Sequence, residues 1–452
     1  MPSSLLHIIQ SLAPLLDEKE RSLLEVALQQ PPVVSVRLNP AKPFVHHFTE
    51  NVPWCRHGFY LEERPVFTLD PLLHAGAYYV QEASGMILQT VLEQVLLPEK
   101  QYNVLDLCAA PGGKSTLISS CLPPGSLLVA NEVIRNRAMV LKENIIKWGN
   151  SNTIVTSNEA KDFQSLPHFF DVIVADVPCS GEGLIRKDEN ALNEWSQENV
   201  LMCSARQKKI LDDVWPALKP GGIFIYCTCT FNTRENEENI SWLSENKNAR
   251  GINIAVHPSW NITETATNGI KGFHFFPHKT KGEGFFITVV QKPEEEIRTL
   301  RKPKKNFFQP LPAVIKKEIQ QWVKSPEEKK FILHNSAVGC IDEVMYERTE
   351  QVVQHLKPVY SFLPVAEIKG KDFIPSHELA LSAQCNTEFF SSVTVEKAEA
   401  LKFLAKEEWN PQADNGWHLI RFSNQNLGWI KKIGARTNNY YPPEWRIKMN
   451  IR

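Results

Sequence analysis

Through the middle of the chain, short apolar runs alternate with longer stretches whose apolar positions recur at helical spacing. Val104-Leu105-Asp106-Leu107, Leu127-Leu128-Val129-Ala130, Thr153-Ile154-Val155, Val172-Ile173-Val174-Ala175 and Ile223-Phe224-Ile225-Tyr226 each read as a strand. Helices are predicted near residues 137–148 and over 189–218, the second stopped by Lys219-Pro220-Gly221-Gly222. Strands that are apolar on both faces and separated by helices imply a parallel sheet covered on each side. The expectation is a doubly wound α/β domain.

The flanks differ in character. Leu5, Ile8, Ile9, Leu12, Leu15 and Leu16 sit at helical spacing ahead of Pro31-Pro32, which reads as an amphipathic helix pair. A basic start, a continuous apolar centre and a small-residue cleavage site are all missing, so this start is not read as a signal peptide. After the α/β core, residues 314–330 look helical and the remainder reads as short strands and turns.

Composition narrows the class. A chain of 452 residues with 42% hydrophobic and 22% charged residues is globular and long enough for about two to four domains. No apolar run reaches bilayer-spanning length, so a cytoplasmic protein without membrane contact is expected. Nine cysteines, an odd number without any CxxC pair, argue against a disulfide scaffold and against a metal site. Net charge is −1, but basic residues cluster locally: Arg298, Arg301, Lys302, Lys304 and Lys305 in one run, and Arg421, Lys431, Lys432, Arg436, Arg446, Lys448 and Arg452 in the last stretch. That stretch also carries Trp417, Trp429, Tyr440, Tyr441 and Trp445, the mixture of cations and rings that meets phosphates and bases in RNA.

The first strand of the core runs into Cys108-Ala109-Ala110-Pro111-Gly112-Gly113-Lys114-Ser115. Small residues there let backbone approach a ligand, and the following helix aims its N-terminus at it. The end resembles a phosphate-binding P-loop, but Cys108 stands where that motif needs glycine, and GxGxxG is not matched either. Glu132, at the end of the second strand, suits ribose hydroxyls, and Asp176 ends the fourth strand at the same sheet edge. These features indicate an adenosine-like ligand, whether nicotinamide dinucleotide or S-adenosylmethionine.

Two further segments carry thiols. Asp176-Val177-Pro178-Cys179-Ser180-Gly181 follows one strand and Tyr226-Cys227-Thr228-Cys229-Thr230 the next. Neighbouring parallel strands would bring Cys179 and Cys229 to one crevice although they are fifty residues apart.

DLCAAPGGK at 106–114, DVPCSGEG at 176–183 and CTCT at 227–230 resemble the Nol/Nop/Sun family of RNA cytosine-C5 methyltransferases, as do residues 79–84 and 186–188. The extended tail is similar to the bacterial RsmF-like group, which modifies small-subunit ribosomal RNA. The resemblance implies a Rossmann-like class I methyltransferase domain, with S-adenosylmethionine as cofactor held by residues 108–114, Glu132, Glu159 and Asp176. It further implies Cys229 as nucleophile and Cys179 in product release, with Asp176 near the base. Glu159 stands where the family commonly has Asp, Val177 where it has Ala, and Cys227 where it has Ser, with Cys227 expected to point away from Cys229.

The implied organisation is an N-terminal RNA-binding module over 1–75, the methyltransferase domain over 76–296 and a basic linker over 297–307. A first C-terminal module over 308–375 and a PUA-like RNA-binding domain over 376–452 complete it. Arg186 and Lys187 are expected to hold phosphates, and residues 35–40 to support the fold or touch RNA. The partner expected is RNA, 16S ribosomal RNA or the small subunit, met by a monomer. Rival readings are a transfer-RNA cytosine-C5 methyltransferase, a non-catalytic RNA-binding or ribosome-assembly factor, and a nicotinamide-dependent oxidoreductase.

Overall fold

A computed structural model of the chain describes residues 3–295 and 307–451. The basic run at 298–305 and Arg452 lie outside the described residues. Helices Ser3–Ser11 and Glu18–Leu28 form the leading pair, the second capped by the Asp17 carboxylate, which accepts from Glu20 N at 2.8 Å. Their apolar stripe, Leu5, Ile9, Leu12, Leu16, Leu24 and Leu28, packs on Phe231 and Phe276 of the central domain. A small antiparallel sheet follows, with Val34–Leu38 between Gly58–Leu61 and Tyr78–Val80. That sheet runs past residue 75, where the first module was expected to end.

The central domain is built on parallel strands β1 (Asn103–Asp106), β2 (Leu127–Asn131), β3 (Thr153–Thr156), β4 (Phe170–Asp176) and β5 (Leu218–Thr228). Strands β6 (Thr263–Thr267), β7 (Ile270–Phe275) and β8 (Phe285–Gln291) extend it antiparallel, giving the order β6-β7-β8-β5-β4-β1-β2-β3. Side chains alternate between two cores. Val104, Leu128, Val172 and Ile225 enter one, and Leu105, Val129, Ile173 and Phe224 the other. Each side chain buried this way contributes roughly 1.5–3 kcal/mol, which is why both faces must be apolar. The chain steps outward one way from β1 to β3 and the other way from β4 to β5. A crevice therefore opens at the carboxyl ends of β1 and β4.

Three local expectations change. The stretch 189–218 is two helices, Glu189–Glu194 and Gln197–Val214, because Trp195 turns inward and Ser196 Oγ caps Asn199 N at 3.0 Å. The Lys219-Pro220-Gly221-Gly222 stop lies inside β5, where the register against β4 shifts between Phe170 and Val172. Residues 314–330 hold only helix Ala313–Ile319 and two short turns, since Ser325 takes a positive φ of 45° ahead of Pro326 and strand Lys329–His334 follows.

The C-terminal part holds a five-stranded antiparallel sheet from Gln309–Pro310 to Asp372–Pro375, and a four-stranded mixed sheet from Ser391–Thr394, whose pairing is parallel, to Arg436–Asn439. Within the span of the first, between strands Ala337–Asp342 and Leu363–Lys369, strand Pro358–Tyr360 leaves to pair with β3, so the C-terminal region is stitched into the central sheet. Among the described residues no helix is long and apolar enough to cross a membrane.

Candidate active site

The turn after β1 is fastened from several sides. Ala109 N donates to Asn131 O at 2.8 Å, Arg137 to Ala110 O at 3.0 Å, and Asn144 Nδ2 to Pro111 O at 2.8 Å. Gly112 has φ of 118°, and a Cβ there would stand 3.2 Å from Leu141 Cδ1. Only glycine takes this conformation without strain. Helix Gly113–Cys121 then begins with no side-chain cap, leaving its N-terminus facing the crevice. From the leading module, buried Arg37 donates to Gln81 Oε1 (2.8 Å), Thr116 Oγ1 (2.6 Å) and Gly113 O (3.2 Å), and stacks 4.4 Å over Trp148. Residues 35–40 therefore support the turn, and burial lowers the Arg37 pKa to about 10.

Acidic groups surround this turn unevenly. Lys114 Nζ bonds Asp176 Oδ2 at 2.7 Å and lies 4.9 Å from the Phe285 ring centre. Burial pulls the ammonium down, but Asp176 more than offsets it, and the Lys114 pKa stands above the ordinary lysine value. Asp106 is fully buried; Ser115 Oγ donates to its Oδ2 at 2.6 Å, while Oδ1 has no hydrogen-bond partner. Burial raises its pKa to about 7, more than the Ser115 bond lowers it. Glu132 is buried, accepts from Ile134 N at 3.0 Å and pairs with Arg137 at 3.4 Å. Glu159 is exposed, caps the short helix Ala160–Ser165 and pairs with Lys161 at 2.6 Å.

The thiols converge. Cys179 Sγ and Cys229 Sγ are 3.0 Å apart, and Cys229 N donates to Cys179 Sγ at 3.3 Å. The hydrogen bond to Cys229, together with burial, holds the Cys179 thiol well above the ordinary cysteine range. Cys229 is half-buried beyond the end of β5, and Gly183 N donates to its carbonyl at 2.8 Å. Cys227 is fully buried among Val174, Ile225 and Ile287. Pleat alternation, which returns to the same face after two residues, does not separate it from Cys229; the end of the strand at Thr228 does. Cys108 is also pushed up by burial and by Asp176. Val177 is accommodated in the apolar core.

Two expectations for nucleic-acid contacts change. The Arg186 side chain is buried and its Nε bonds Glu283 Oε2 at 2.7 Å, so its charge is satisfied inside the protein and not offered to phosphate. Of the C-terminal aromatics, Trp429 and Tyr441 are core residues, and half-buried Trp445 is engaged edge-on by His377 and by the Lys147 ammonium, leaving half-buried Trp417 and Tyr440 with ring centres 4.5 Å apart and Lys431 over Trp417.

A family model described as the N-terminal domain of 16S rRNA methyltransferase RsmF matches residues 6–83. One described as 16S rRNA methyltransferase RsmB/F matches 93–291, and one described as the methyltransferase RsmF PUA domain matches 390–447. A ribosomal RNA small subunit methyltransferase F of Aeromonas hydrophila is 33% identical over 432 residues, covering 91% of this chain and 90% of its own. The chain belongs to the RsmF family of 16S rRNA methyltransferases. A relative of the same description from Salmonella heidelberg is 30% identical over 464 residues, covering 92% of this chain and 91% of its own. Among solved structures, a methyltransferase homolog from Pyrococcus horikoshii superimposes with TM-score 0.51 at 26% identity, over 65% of this chain and 99% of that one. NSun6 from the same organism, solved with SFG, gives 0.53 at 18% identity over 64% of this chain and 98% of that one, a likeness of fold.

Sequence reasoning missed the polar groups that hold the RsmF-family site together. Asn131 Nδ2 donates to Leu107 O (3.0 Å) and Asn158 O (2.9 Å), joining the loops after β1 and β3. Glu182 and Glu235 sit beneath the thiols. Glu182 was in the quoted motif without a role, and Glu235 lies in the Arg-Glu-Asn-Glu-Glu run, which reads as an exposed helix start.

Proposed function

We propose that this RsmF-family enzyme methylates C5 of a cytosine in 16S ribosomal RNA through a covalent bond between Cys229 and C6. The observation that carries the reading is the Cys179–Cys229 contact of 3.0 Å at the ends of adjacent parallel strands, beside the Lys114–Asp176 pair of the turn after β1. A transfer-RNA substrate is disfavoured by the match to RsmF-specific N-terminal and PUA domains. A nicotinamide oxidoreductase and a non-catalytic assembly factor are disfavoured by membership in a methyltransferase family with both thiols present.

Membership makes the enzyme S-adenosylmethionine-dependent. The residues present fit that cofactor: a turn held at φ 118° by Gly112, an uncapped helix N-terminus after it, the buried Glu132 carboxylate, and Asp106 Oδ1 buried without a partner. Residues 108–114, Glu132 and Asp176 would hold it. Glu159, exposed and turned to Lys161, is a peripheral contributor. When bound, the cofactor supplies a methyl group as a cationic sulfonium.

C5 of cytosine is too electron-poor to take that group unaided. The Cys229 thiolate adds to C6, forming an S–C6 bond and making C5 enamine-like and nucleophilic. Asp176, held by Lys114 at 2.7 Å, accepts from the amino group beside N3 of the base, and the Lys114 cation offsets the negative charge that develops on the ring. Bonding of Cys229 to carbon removes the hydrogen bond that raises the Cys179 pKa most, leaving burial as the remaining main cause. Cys179, its proton released to solvent, then takes the C5 proton directly or through a water, and the S–C6 electrons return to Cys229. The target base must be unstacked to reach the thiols. Trp417, Tyr440 and Lys431 of the PUA module supply stacking and phosphate contacts.

Purified Cys179→Ala and Cys229→Ala variants, run on denaturing gels with and without ribonuclease, test the reading. An RNA adduct only in Cys179→Ala supports both roles. An adduct in Cys229→Ala reverses them. Absence of any adduct in Cys179→Ala, with wild-type methylation intact, removes Cys179 from release.

A further inference from the structure

Beneath the two thiols lies a buried polar network that the chemistry above does not use. Gln207 Nε2 donates to Pro178 O at 2.9 Å and to Glu235 Oε2 at 2.6 Å, and Ser180 N donates to Glu235 Oε2 at 3.1 Å. The Pro178 carbonyl and the Ser180 N–H are the peptide groups on either side of Cys179. Glu235 and Gln207 therefore grip that residue from both flanks. Asn232 Nδ2 completes the set, donating to Glu235 Oε1 at 2.9 Å.

Glu235 is fully buried, and no described ion pair includes it. Burial raises its pKa against the lowering by its N–H donors. A buried carboxylate without a counter-ion is destabilising unless its lone pairs are filled, and an apolar residue would close the same space at less cost. What an apolar residue cannot do is hold the Ser180 N–H. Glu182 is its counterpart on the Cys229 side: Oε2 accepts from Phe231 N (2.8 Å) and Asn232 N (3.1 Å), and Oε1 from Trp195 Nε1 (2.9 Å).

We propose that Glu235 is a positioning residue, which by gripping the peptides that flank Cys179 holds that thiol against Cys229 for release of the methylated base. This rests on the release role given to Cys179 above. Glu182 anchors the segment after Cys229, so its loss impairs attack and not release.

The test compares Cys179→Ala, Glu235→Gln, Glu235→Asp and Glu182→Gln with wild type. The readouts are single-turnover methyl transfer to a 16S rRNA transcript, the fraction of denaturation-resistant RNA adduct, and melting temperature. In Glu235→Gln, one of the two oxygen sites becomes an NH2 that faces an N–H donor, Asn232 on one side or Ser180 and Gln207 on the other, and the grip loosens. Release slows on the order of tenfold or more, so adduct accumulates while methyl transfer changes much less. Glu182→Gln lowers transfer and adduct together. If Cys179→Ala traps RNA but Glu235→Gln loses transfer and adduct in equal proportion, Glu235 is scaffold only and the inference is overturned. Should Glu235→Gln not fold, Glu235→Asp, one methylene shorter with the charge kept, must still enrich adduct above wild type; no enrichment overturns it as well. If Cys179→Ala itself traps nothing while wild type methylates, the release role falls and takes this inference with it.

Discussion

Arg186 follows the Cys179 motif directly, and its charge invites a phosphate-binding role that the structure assigns elsewhere. Its side chain is 5% exposed and that of Glu283 1%, with Nε and Oε2 at 2.7 Å. Glu283 Oε1 accepts from Val33 N at 2.8 Å, and Arg186 also donates to Gly282 O. The pair therefore ties the leading module, the cysteine loop and the turn before β8. Arg186→Met removes the cation and leaves the carboxylate buried with one N–H. Breaking a buried pair from one side costs about 3–5 kcal/mol, whereas neutralising both partners costs far less. For a domain of this size each kcal/mol moves Tm by ~2–4 °C, so a fall of roughly 10 °C is expected. Adding Glu283→Gln to Arg186→Met should recover most of it. Scanning calorimetry of the two single variants and the double variant gives the coupling, and RNA binding across a salt series gives the electrostatic contribution. A nearly unchanged Tm, with RNA affinity lowered and its salt slope reduced by about one phosphate contact, would refute the reasoning and return Arg186 to the RNA.

Two further outcomes are expected. Gly112→Ala places a Cβ at φ 118°, 3.2 Å from Leu141, and the turn escapes that ~1–2 kcal/mol of strain by leaving its binding shape, so S-adenosylmethionine affinity measured by calorimetry should fall by up to about tenfold; unchanged affinity would mean the shape of this turn does not govern cofactor binding. His377 and His74 are held neutral by burial, with pKa values lowered to about 3 and about 4. A base whose folded pKa is depressed stabilises fully above its unfolded value of ~6.5 and loses that contribution as pH falls toward the folded value. Both lie against Tyr441, so Trp fluorescence of the C-terminal module should report destabilisation of up to ~1.4 kcal/mol per pH unit per histidine between pH ~6.5 and 4. His377→Phe should flatten that slope, and an unchanged slope would exclude His377 from it.

The sequence by itself determined the parallel sheet, its strand sequence, the turn at 108–114 and the two cysteine segments. These depend on local pattern: two-faced apolar strands have to be covered on both sides, and the loops at their carboxyl ends have to share one crevice. It also carried the family, because motif order along the chain is a linear property. Contacts between residues far apart in sequence were decided only by tertiary structure. A charge such as Arg186 reads the same whether it meets phosphate or is matched 97 residues away by Glu283. Aromatics such as Trp429 and Tyr441 read as stacking platforms until the sheet buries them. Glu235 reads as a solvated helix start, and only the packing of helix Gln197–Val214 against the cysteine loops encloses it with Gln207 and Ser180. Periodicity reports which side of its own element a residue lies on. Which partner fills a polar group's lone pairs depends on elements that meet only after the chain has folded.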